Sequence, residues 1–272
     1  MSDKNTKRQL EGRLAFAMDQ ARRAGALLRE GYGRAQEIDH KGAIDLITQY
    51  DLRSEQLLVE AIRKTYPEDA ILAEEEGELG EGESRWLIDP LDGTTNFAHG
   101  LPIFAVSIAW SVDLRPEVGV VYDPMRDELF HALRGGGAWL NGHPIHVSQT
   151  SELADSLVVT GFAYDRRTHP ENNLDHFAAF ALRTQGVRRL GAATLDLAAV
   201  AAGRFDGYWE MRLWPWDWAA GMLLVEEAGG VISRIDGGPD VFAPPTSILA
   251  SNGLIHQAMM EVLLGEGRNS KA

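Results

Sequence analysis

Two aspartates, Asp89 and Asp92, stand three residues apart in the stretch DPLDGTTNF, directly after the apolar residues 86–88. If residues 86–88 form a strand, Asp89 lies at its carboxyl end, where α/β folds tend to place ligands, and the following turn brings Asp92 back beside it. Two ionised carboxylates held close together repel each other unless a cation lies between them. Hard divalent ions such as Mg²⁺ prefer these oxygen ligands. The spacing therefore indicates a divalent-metal site.

The residues after Asp92 could hold a phosphate group. Gly93 lets the backbone approach a ligand closely, and Thr94, Thr95 and Asn96 can cap a short helix whose free N–H groups would face an anion. An ordinary turn with a helix cap behind it is the alternative. Phosphatases with an aspartyl nucleophile have a similar Asp-x-Asp-Gly-Thr sequence, but their acids are two residues apart. In an extended segment, the extra residue turns one side chain to another direction.

Four further acids stand near predicted ends of strands and helices. Glu74, the first of three consecutive glutamates, follows the apolar residues 71–73, and a solvated surface run is its alternative. Asp217 lies in the first turn of a predicted helix, among three tryptophans. A helix cap is the alternative there, although an aspartate among apolar rings is costly without a cation. Asp45 and Asp51 precede the second helix, which Asp51 could simply cap.

The elements that must position these acids follow an ordered pattern. Apolar residues at three- and four-residue spacing predict a helix over residues 10–28, and a second helix ends before Pro67. Short β-like runs occupy residues 70–140, and Asn141-Gly142 is a hairpin signal. From residue 157 onward, strands alternate with helices. The pattern predicts an α/β fold with layered packing.

Composition limits the class of protein. The 272 residues are 44% hydrophobic and 24% charged, and a chain of this size buries roughly three quarters of its unfolded surface. We expect one catalytic unit, residues 1–272, with an N-terminal metal-binding lobe over about residues 1–150 and a C-terminal α/β lobe over about 151–272. With no cysteine, a disulfide framework and a thiolate metal site are excluded, which fits a reducing cytoplasm.

Charge and hydropathy limit the partners. Charged residues interrupt the first thirty positions, so no signal peptide is expected, and no run approaches the ~20 apolar residues that span a bilayer. These features predict a soluble cytoplasmic protein with no membrane association. The net charge of −14 argues against direct nucleic-acid binding, and the pairs Arg166-Arg167 and Arg188-Arg189 are interpreted as solvated surface.

The acidic motifs, in this order and at these intervals, resemble those of the inositol monophosphatase family of Mg²⁺-dependent phosphomonoesterases. The resemblance rests on DPLDGTTN, on Glu74-Glu75 and on WDWAAG at residues 216–221, and it extends over about residues 10–265. The bacterial members are the most similar. The resemblance implies an αβαβα sandwich of the sugar phosphatase type, two or three Mg²⁺ ions per site, sensitivity to lithium and a homodimer.

The same resemblance implies roles for individual residues. Glu74, Asp89 and the Leu91 carbonyl are similar to the ligands of a first metal, and Asp89, Asp92 and Asp217 to those of a second. A third, weaker ion is implied beside Glu74 and Asp89. Asp51 and Thr94 are similar to the catalytic pair that helps to activate water, with Glu74 as an alternative base. The implied substrate contacts are Gly93 and Thr94 for the phosphate, and Gly191, Ala192, Ala193 and Glu210 for the alcohol.

The implied activity is hydrolysis of a small phosphorylated substrate, myo-inositol monophosphate or a related polyol or sugar phosphate, by water that a metal ion activates. Ala192 stands where a hydroxyl residue is common in the family, which makes the specificity for inositol less secure. The alternatives are histidinol phosphate, fructose 1,6-bisphosphate and nucleotide 3′-phosphates. A different class of function, binding to the transcription machinery, is attached to some bacterial relatives.

Overall fold

This computed structural model describes residues 3–34, 38–40, 46–236, 238, 242 and 245–265. Asp45 lies outside them. Seven α-helices are found in the described part of the chain: α1 (Asp3–Gly31), α2 (Gln49–Thr65), α3 (Thr94–Ala98), α4 (Leu174–Ala181), α5 (Ala193–Ala201), α6 (Pro215–Glu227) and α7 (His256–Leu263). None of these helices combines the length and the apolar character that a membrane span requires.

Strands from the first part of the chain form a small hairpin and a large sheet. The hairpin pairs β1 (Ile38–His40) with β2 (Leu46–Thr48). The large sheet contains β3 (Ala70–Ala73), β4 (Gly77–Leu79), β5 (Ser84–Asp92), β6 (Ala105–Val112), β7 (Arg115–Asp123), β8 (Glu128–Leu133), β9 (Ala138–Leu140) and β10 (His143–Pro144). Their spatial order is β10-β9-β8-β7-β6-β5-β3-β4. Only β3 and β5 are parallel neighbours among these described strands.

Strands from the second part form a sheet of five. They are β11 (Leu157–Thr160), β12 (Gly186–Arg188), β13 (Gly207–Leu213), β14 (Val231–Arg234) and β15 (Thr246–Ser251), in the order β12-β11-β13-β15-β14. β11 runs parallel to both β12 and β13, so the carboxyl ends of these three strands lie at one edge.

The helices separate the two sheets and cover their outer faces. α1 and α2 pack on the outside of the large sheet, α5 and α6 lie between the sheets, and α4 and α7 cover the small sheet. One apolar core surrounds α5 and α6, and a further core lies under each outer helix pair. The predicted αβαβα sandwich is confirmed. The division into two lobes stays a prediction.

The central helix α6 lies unusually close to the large sheet. A Cβ atom added to Gly119 of β7 would stand 2.9 Å from the carbonyl oxygen of Ala220, so a glycine is required for this approach. Ala219 and Ala220 are both fully buried. Their small side chains let the helix and the sheet come close together. This contact brings α6 against β7 of the large sheet.

The sequence located most elements correctly but misjudged some boundaries. The helix predicted over residues 10–28 is α1, and the Asn141-Gly142 turn has φ values of 48° and 80°, as a two-residue hairpin requires. β4 was missed, since its three residues carry no alternating apolar pattern. The strand predicted over residues 86–88 is longer at both ends.

Candidate active site and metal-binding acids

Asp89 and Asp92 lie in the last four residues of β5, and the turn predicted between them is wrong. Asp89 pairs with Ser107 of β6 and Asp92 pairs with Ala105, so three steps along β5 match two steps along β6. Residues three apart in a regular strand point to opposite faces. The extra residue forms a β-bulge, which returns both carboxylates to one face of the sheet.

Glu74 joins this pair because β3 runs parallel to β5 and both strands end at the same edge. The Glu74 amide donates to the Ile88 carbonyl at 3.2 Å, and the Glu74 side chain is hydrogen-bonded to Asp89. Burial, followed by the negative charges of Glu74, Asp92 and Asp217, raises the pKa of Asp89 well above its ordinary value. The four acids therefore lie within electrostatic reach of one another.

Asp217 both caps a helix and belongs to the acid group. Its Oδ2 atom accepts a hydrogen bond of 2.7 Å from the Trp214 amide at the start of α6, as the capping alternative requires. Burial raises the pKa of Asp217 well above its ordinary value; the Trp214 hydrogen bond opposes this shift, and the charges of Glu74 and Asp92 add to it. The two interpretations coexist because a carboxylate offers two oxygens with about four acceptor sites.

Asp92 connects the large sheet to the central helix α5. The N-cap residue of α5 is Ala192, which has no side-chain acceptor. Asp92 supplies one from a distant part of the chain, and its carboxylate accepts the amide hydrogens of Ala193 at 3.2 Å and Thr194 at 2.8 Å. An anion at this position also interacts favourably with the helix dipole. Burial raises the pKa of Asp92, and the hydrogen bonds from α5 oppose that shift.

Two glycines allow the backbone to pass close to these acids. Gly93 has a φ of 92°, and a Cβ atom on it would stand 2.9 Å from the Ile103 carbonyl oxygen and 3.3 Å from that of Gly191. Gly191 has a φ of 87°, and the Arg189 guanidinium lies over its open side. The predicted hydroxyl cap of α3 is wrong, because Gly93 occupies the N-cap position and Thr94 is the first helical residue.

Asp51 and Thr94 are in direct contact. Asp51 is fully buried in the first turn of α2, where its Oδ2 atom accepts hydrogen bonds from the Thr48 amide at 2.8 Å and the Thr48 hydroxyl at 2.6 Å. The Thr94 hydroxyl lies 2.8 Å from Asp51 Oδ1 and 3.0 Å from the Leu91 carbonyl oxygen. Thr48 is the N-cap of α2, so Asp51 completes a capping box and also holds Thr94.

A cavity of about 360 Å³ opens beside these groups. Eight of the predicted site residues line it: Glu74, Asp92, Gly93, Gly191, Ala192, Ala193, Glu210 and Asp217. Asp51, Asp89, Leu91 and Thr94 do not line the cavity, and each of these four is buried. The structure thus brings the predicted residues together as a lined cavity with a buried acidic layer beside it.

Glu210 forms the part of the wall contributed by β13. Tyr208 donates a hydrogen bond of 2.8 Å to Glu210 Oε2, and the Gly161 backbone leaves room for the carboxylate. Burial raises the pKa of Glu210 to about 7, against the opposing effects of the Tyr208 hydrogen bond and the Arg189 charge. Arg189 is exposed, as predicted, but it also lines the cavity.

The donor set fits a hard divalent cation. Glu74, Asp89, Asp92 and Asp217 offer only oxygen atoms, which is the ligand type that Mg²⁺ prefers. Burial first, and then the charges of the neighbouring acids, raises the pKa of Asp89, and a bound cation would offset both effects. The β-bulge also takes Leu91 out of the β5–β6 register.

The side chains of the described acids and histidines are not arranged around a common point. Among the residues that the structure describes, no three such side chains converge closely enough to hold a metal as they stand. We attribute this to the backbone amides that the carboxylates face: Leu91 N for Asp89, Ala193 N and Thr194 N for Asp92, and Trp214 N for Asp217. An oxygen that accepts one amide hydrogen can still bind a cation, so these hydrogen bonds do not exclude a metal ion from the acid group.

A second group on α2, not predicted from the sequence, holds the acidic segments. Glu55 lies one helical turn after Asp51 and is 1% exposed. Its carboxylate accepts the amide hydrogens of Glu75 at 2.9 Å and Glu76 at 2.7 Å. Ser54 donates to the Pro90 carbonyl at 2.8 Å. The i, i+3, i+4 spacing of buried polar residues on a helix was the available signal.

We expect Glu55→Gln to weaken metal binding. A glutamine offers one acceptor oxygen where the two amides after Glu74 need two, so Glu74 loses its fixed position. Loss of a partner that orients a metal ligand typically costs 10- to 100-fold in affinity, so the Kd for Mg²⁺ should rise about tenfold or more, as measured by titration calorimetry.

The matched control for this change is Glu60→Gln. Glu60 lies on the exposed side of the same helix and is contacted by Gln56 at 2.8 Å. It should leave the Kd unchanged. Equal Mg²⁺ affinity in the Glu55 variant would contradict the assigned role.

Comparisons with known proteins agree with this geometry. The inositol monophosphatase family model matches residues 9–271. An inositol-1-monophosphatase of Synechocystis is 48% identical over 253 residues, covering 92% of this chain and 88% of the relative. The Nus factor SuhB of Escherichia coli is 44% identical over 252 residues, covering 91% and 94%.

Solved structures give the same result. The inositol monophosphatase from Anabaena superposes with a TM-score of 0.86 at 47% identity, covering 94% of this chain and 97% of the other. SuhB from Bartonella henselae superposes with a TM-score of 0.88 at 37% identity, covering 96% of this chain and 100% of the other. The chain belongs to the inositol monophosphatase family, whose members are generally metal-dependent phosphatases.

Proposed function

We propose that this protein is a Mg²⁺-dependent phosphomonoesterase that hydrolyses myo-inositol monophosphate and related polyol or sugar phosphates to the alcohol and inorganic phosphate. One observation carries the proposal: Glu74, Asp92 and Asp217 line the same cavity as Glu210, with Asp89 buried beside them. An acidic group for cations and an acceptor for hydroxyl groups are thus available to one substrate.

The acids would hold two Mg²⁺ ions, as the family roles imply. Glu74, Asp89 and the Leu91 carbonyl would bind the first ion, and Asp89, Asp92 and Asp217 the second. A third ion, held weakly beside Glu74 and Asp89, belongs to the same proposal. When bound, such ions supply positive charge to the phosphoryl oxygens and lower the pKa of water.

Asp51 and Thr94 orient the attacking water. With its hydrogen directed to Asp51 Oδ1 at 2.8 Å, the Thr94 hydroxyl keeps its lone pairs for a hydrogen of the water. The buried Asp51 carboxylate favours the loss of a proton along this line, and Glu74 is the alternative base. Because Thr48 also holds Asp51, neither side chain has to reorganise during the reaction.

The remaining cavity residues, together with the buried Thr94 next to Gly93, would bind the two ends of the substrate. The Gly93 and Thr94 segment would contact the phosphate, while Gly191, Ala192 and Ala193 form a wall for the alcohol. Glu210 accepts hydrogen bonds from alcohol hydroxyls. Ala192 brings no hydroxyl of its own, so the proposal assigns recognition of the polyol hydroxyls to Glu210.

The experiment that tests this function is a Mg²⁺ titration of turnover over a panel of phosphomonoesters. The panel contains inositol 1-phosphate, glycerol 2-phosphate, histidinol phosphate, fructose 1,6-bisphosphate and a nucleoside 3′-phosphate. We expect the highest kcat/KM for inositol 1-phosphate, no turnover with chelator, and inhibition by millimolar Li⁺. A preference for another ester would replace the proposed substrate, and turnover without divalent metal would overturn the mechanism.

Two further properties belong to the proposal: a homodimer and a cytoplasmic location. A second function, binding to the transcription machinery, is favoured by the 44% identity to the Escherichia coli Nus factor SuhB. It does not compete with the proposed catalytic function, since binding to another protein does not require the acid group.

Glu210 should control substrate choice in a pH-dependent way. Its pKa of about 7 means that the carboxylate gains its charge as pH rises from 6 to 8. The ratio of kcat/KM for inositol 1-phosphate to that for an aryl phosphate should therefore rise across this range. In Glu210→Gln the ratio should not change with pH, and it should be lower than in the wild-type protein. The lower ratio corresponds to a loss of up to ~1–3 kcal/mol of transition-state stabilisation per charged hydrogen bond lost.

The same shift gives a stability check for Glu210. A carboxyl whose folded pKa exceeds its unfolded value binds its proton more tightly when folded, so its contribution to stability is lost as pH rises from about 4.5 to about 7. Glu210→Gln should remove that part of the pH dependence. An unchanged pH profile of the substrate ratio would show that Glu210 does not contact the alcohol.

A further inference from the structure

Arg212 adopts a backbone conformation that arginine rarely takes. Its φ is 61°, in the left-handed region. The residue lies in a β-bulge of β13, where the register with β15 shifts between Glu210 and Leu213. A non-glycine residue at such a φ stores backbone strain and persists where other contacts compensate.

The compensating contacts cross to a neighbouring segment. Arg212 Nη2 lies 2.7 Å from Asp165 Oδ2, and Nη1 lies 3.0 Å from His169 Nε2. Asp165 and His169 follow β11, which is the parallel neighbour of β13, so the contact spans the carboxyl ends of both strands. Both partners of the ion pair are about a third exposed, at 35% and 38%.

This bridge lies on the wall of the cavity. Arg212 and Asp165 both line it, together with Tyr164. The same two segments also meet at Glu210, whose carboxylate packs against the Gly161 backbone. The two segments therefore touch at two places. The first contact is between Gly161 and Glu210, and the second is between Asp165 and Arg212, farther along each segment.

We propose that the Arg212–Asp165 bridge is a strap that limits the size of the alcohol accepted beside Glu210, and that Arg212 is a specificity-determining residue. The inference rests on the proposed function. With the strap in place, the walls from β11 and β13 are held together and a compact polyol fits against Glu210. Without it, the segment after Gly161 can move outward and a bulkier alcohol enters.

The test uses Arg212→Gly, because glycine adopts this φ without strain and the fold should be retained. Asp165→Asn removes the same ion pair from the other side. The two probes are inositol 1-phosphate and a nucleoside 2′-monophosphate, which carry the same phosphate charge. In both variants, the ratio of kcat/KM for inositol 1-phosphate to that for the nucleoside 2′-monophosphate should fall at least about tenfold. In the double variant, this ratio should fall no further than in the more affected single variant.

Asp113→Gly is the matched control. Asp113 also has a positive φ, of 49°, but it is exposed in the turn between β6 and β7, remote from the cavity. It should leave the ratio unchanged. Equal loss on both probes, or additive effects in the double variant, would overturn the strap.

Binding of both esters is measured by calorimetry alongside turnover. If the wild-type protein hydrolyses neither ester, the proposed function fails, and the ratio of Kd values still decides the strap. An unchanged Kd ratio in Arg212→Gly would reject the strap whatever the turnover.

Discussion

Asp89→Asn should abolish hydrolysis while the protein stays folded. Asp89 is 2% exposed, and burial followed by the charges of three other acids raises its pKa well above the ordinary value. These acids are Glu74, Asp92 and Asp217. As the proposed ligand of both metals, it cannot be replaced by a neutral amide without losing cation affinity. We expect kcat/KM to fall at least about a thousandfold, which corresponds to about 4 kcal/mol of transition-state stabilisation.

Metal binding to the Asp89 variant is measured separately from activity. A ligand at about a hundredfold above its Kd stabilises the folded state by about 2.7 kcal/mol, so Mg²⁺ should raise the unfolding temperature of the wild-type protein. The variant should lose this rise and keep a cooperative unfolding transition. Full activity at saturating Mg²⁺ would refute the assignment of Asp89.

Asp196→Asn is the control for replacing a buried aspartate. Asp196 of α5 is 1% exposed, and burial raises its pKa well above the ordinary value. Neither of its carboxyl oxygens has a hydrogen-bond partner among the described residues. Since Asp196 is not a proposed ligand, this variant should keep the Mg²⁺-induced stabilisation.

Glu74 and Asp217 could be predicted from the sequence because each of them stands near an element boundary. Glu74 follows an apolar run, and Asp217 opens a helix after a proline, so chain-local patterns place them at strand and helix ends. The same reasoning gave an incorrect account of Asp89 and Asp92. A bulge depends on the register with β6, and register is a property of two strands that one strand's sequence does not contain.

Long-range contacts account for what the sequence did not predict. The cap that Asp92 provides for α5 joins residues about a hundred positions apart, and no local rule anticipates it. Glu55 was overlooked because an acidic residue on an amphipathic helix usually faces solvent. Arg212 carried no signal at all, since its positive φ exists only in the folded bulge. The unpredicted features are thus those fixed by packing between distant segments.

The second large effect is expected for the pair Asp51 and Thr94. Thr94→Val keeps the shape of the side chain but removes the hydroxyl that lies 2.8 Å from Asp51 Oδ1. Asp51→Asn keeps the size but puts an amide group against donors from Thr48 and Thr94. A positioned group that takes part in proton transfer contributes typically 10²- to 10⁴-fold, so each variant should lower kcat by at least about a hundredfold.

A double-mutant cycle decides whether the pair acts as one unit. If Asp51 acts through Thr94, the double variant should be no slower than the slower single variant. Because neither residue is a proposed metal ligand, both single variants should keep the Mg²⁺-induced rise in unfolding temperature that Asp89→Asn loses. Asp51→Asn weakens the capping box in which Thr48 is the N-cap, and since loss of a helix cap costs about 1 kcal/mol, the variant should be somewhat less stable but folded.

The cycle also separates the two candidate bases. If Thr94→Val retains full kcat, the Asp51–Thr94 line does not carry the proton, and Glu74 is the remaining base in the proposal. Glu74→Gln would then be expected to abolish turnover, but this variant also loses a proposed metal ligand. Only a variant that keeps the metal and loses the rate identifies a base, and Thr94→Val meets that condition because its hydroxyl contacts Asp51 and the Leu91 carbonyl but is not itself a proposed ligand.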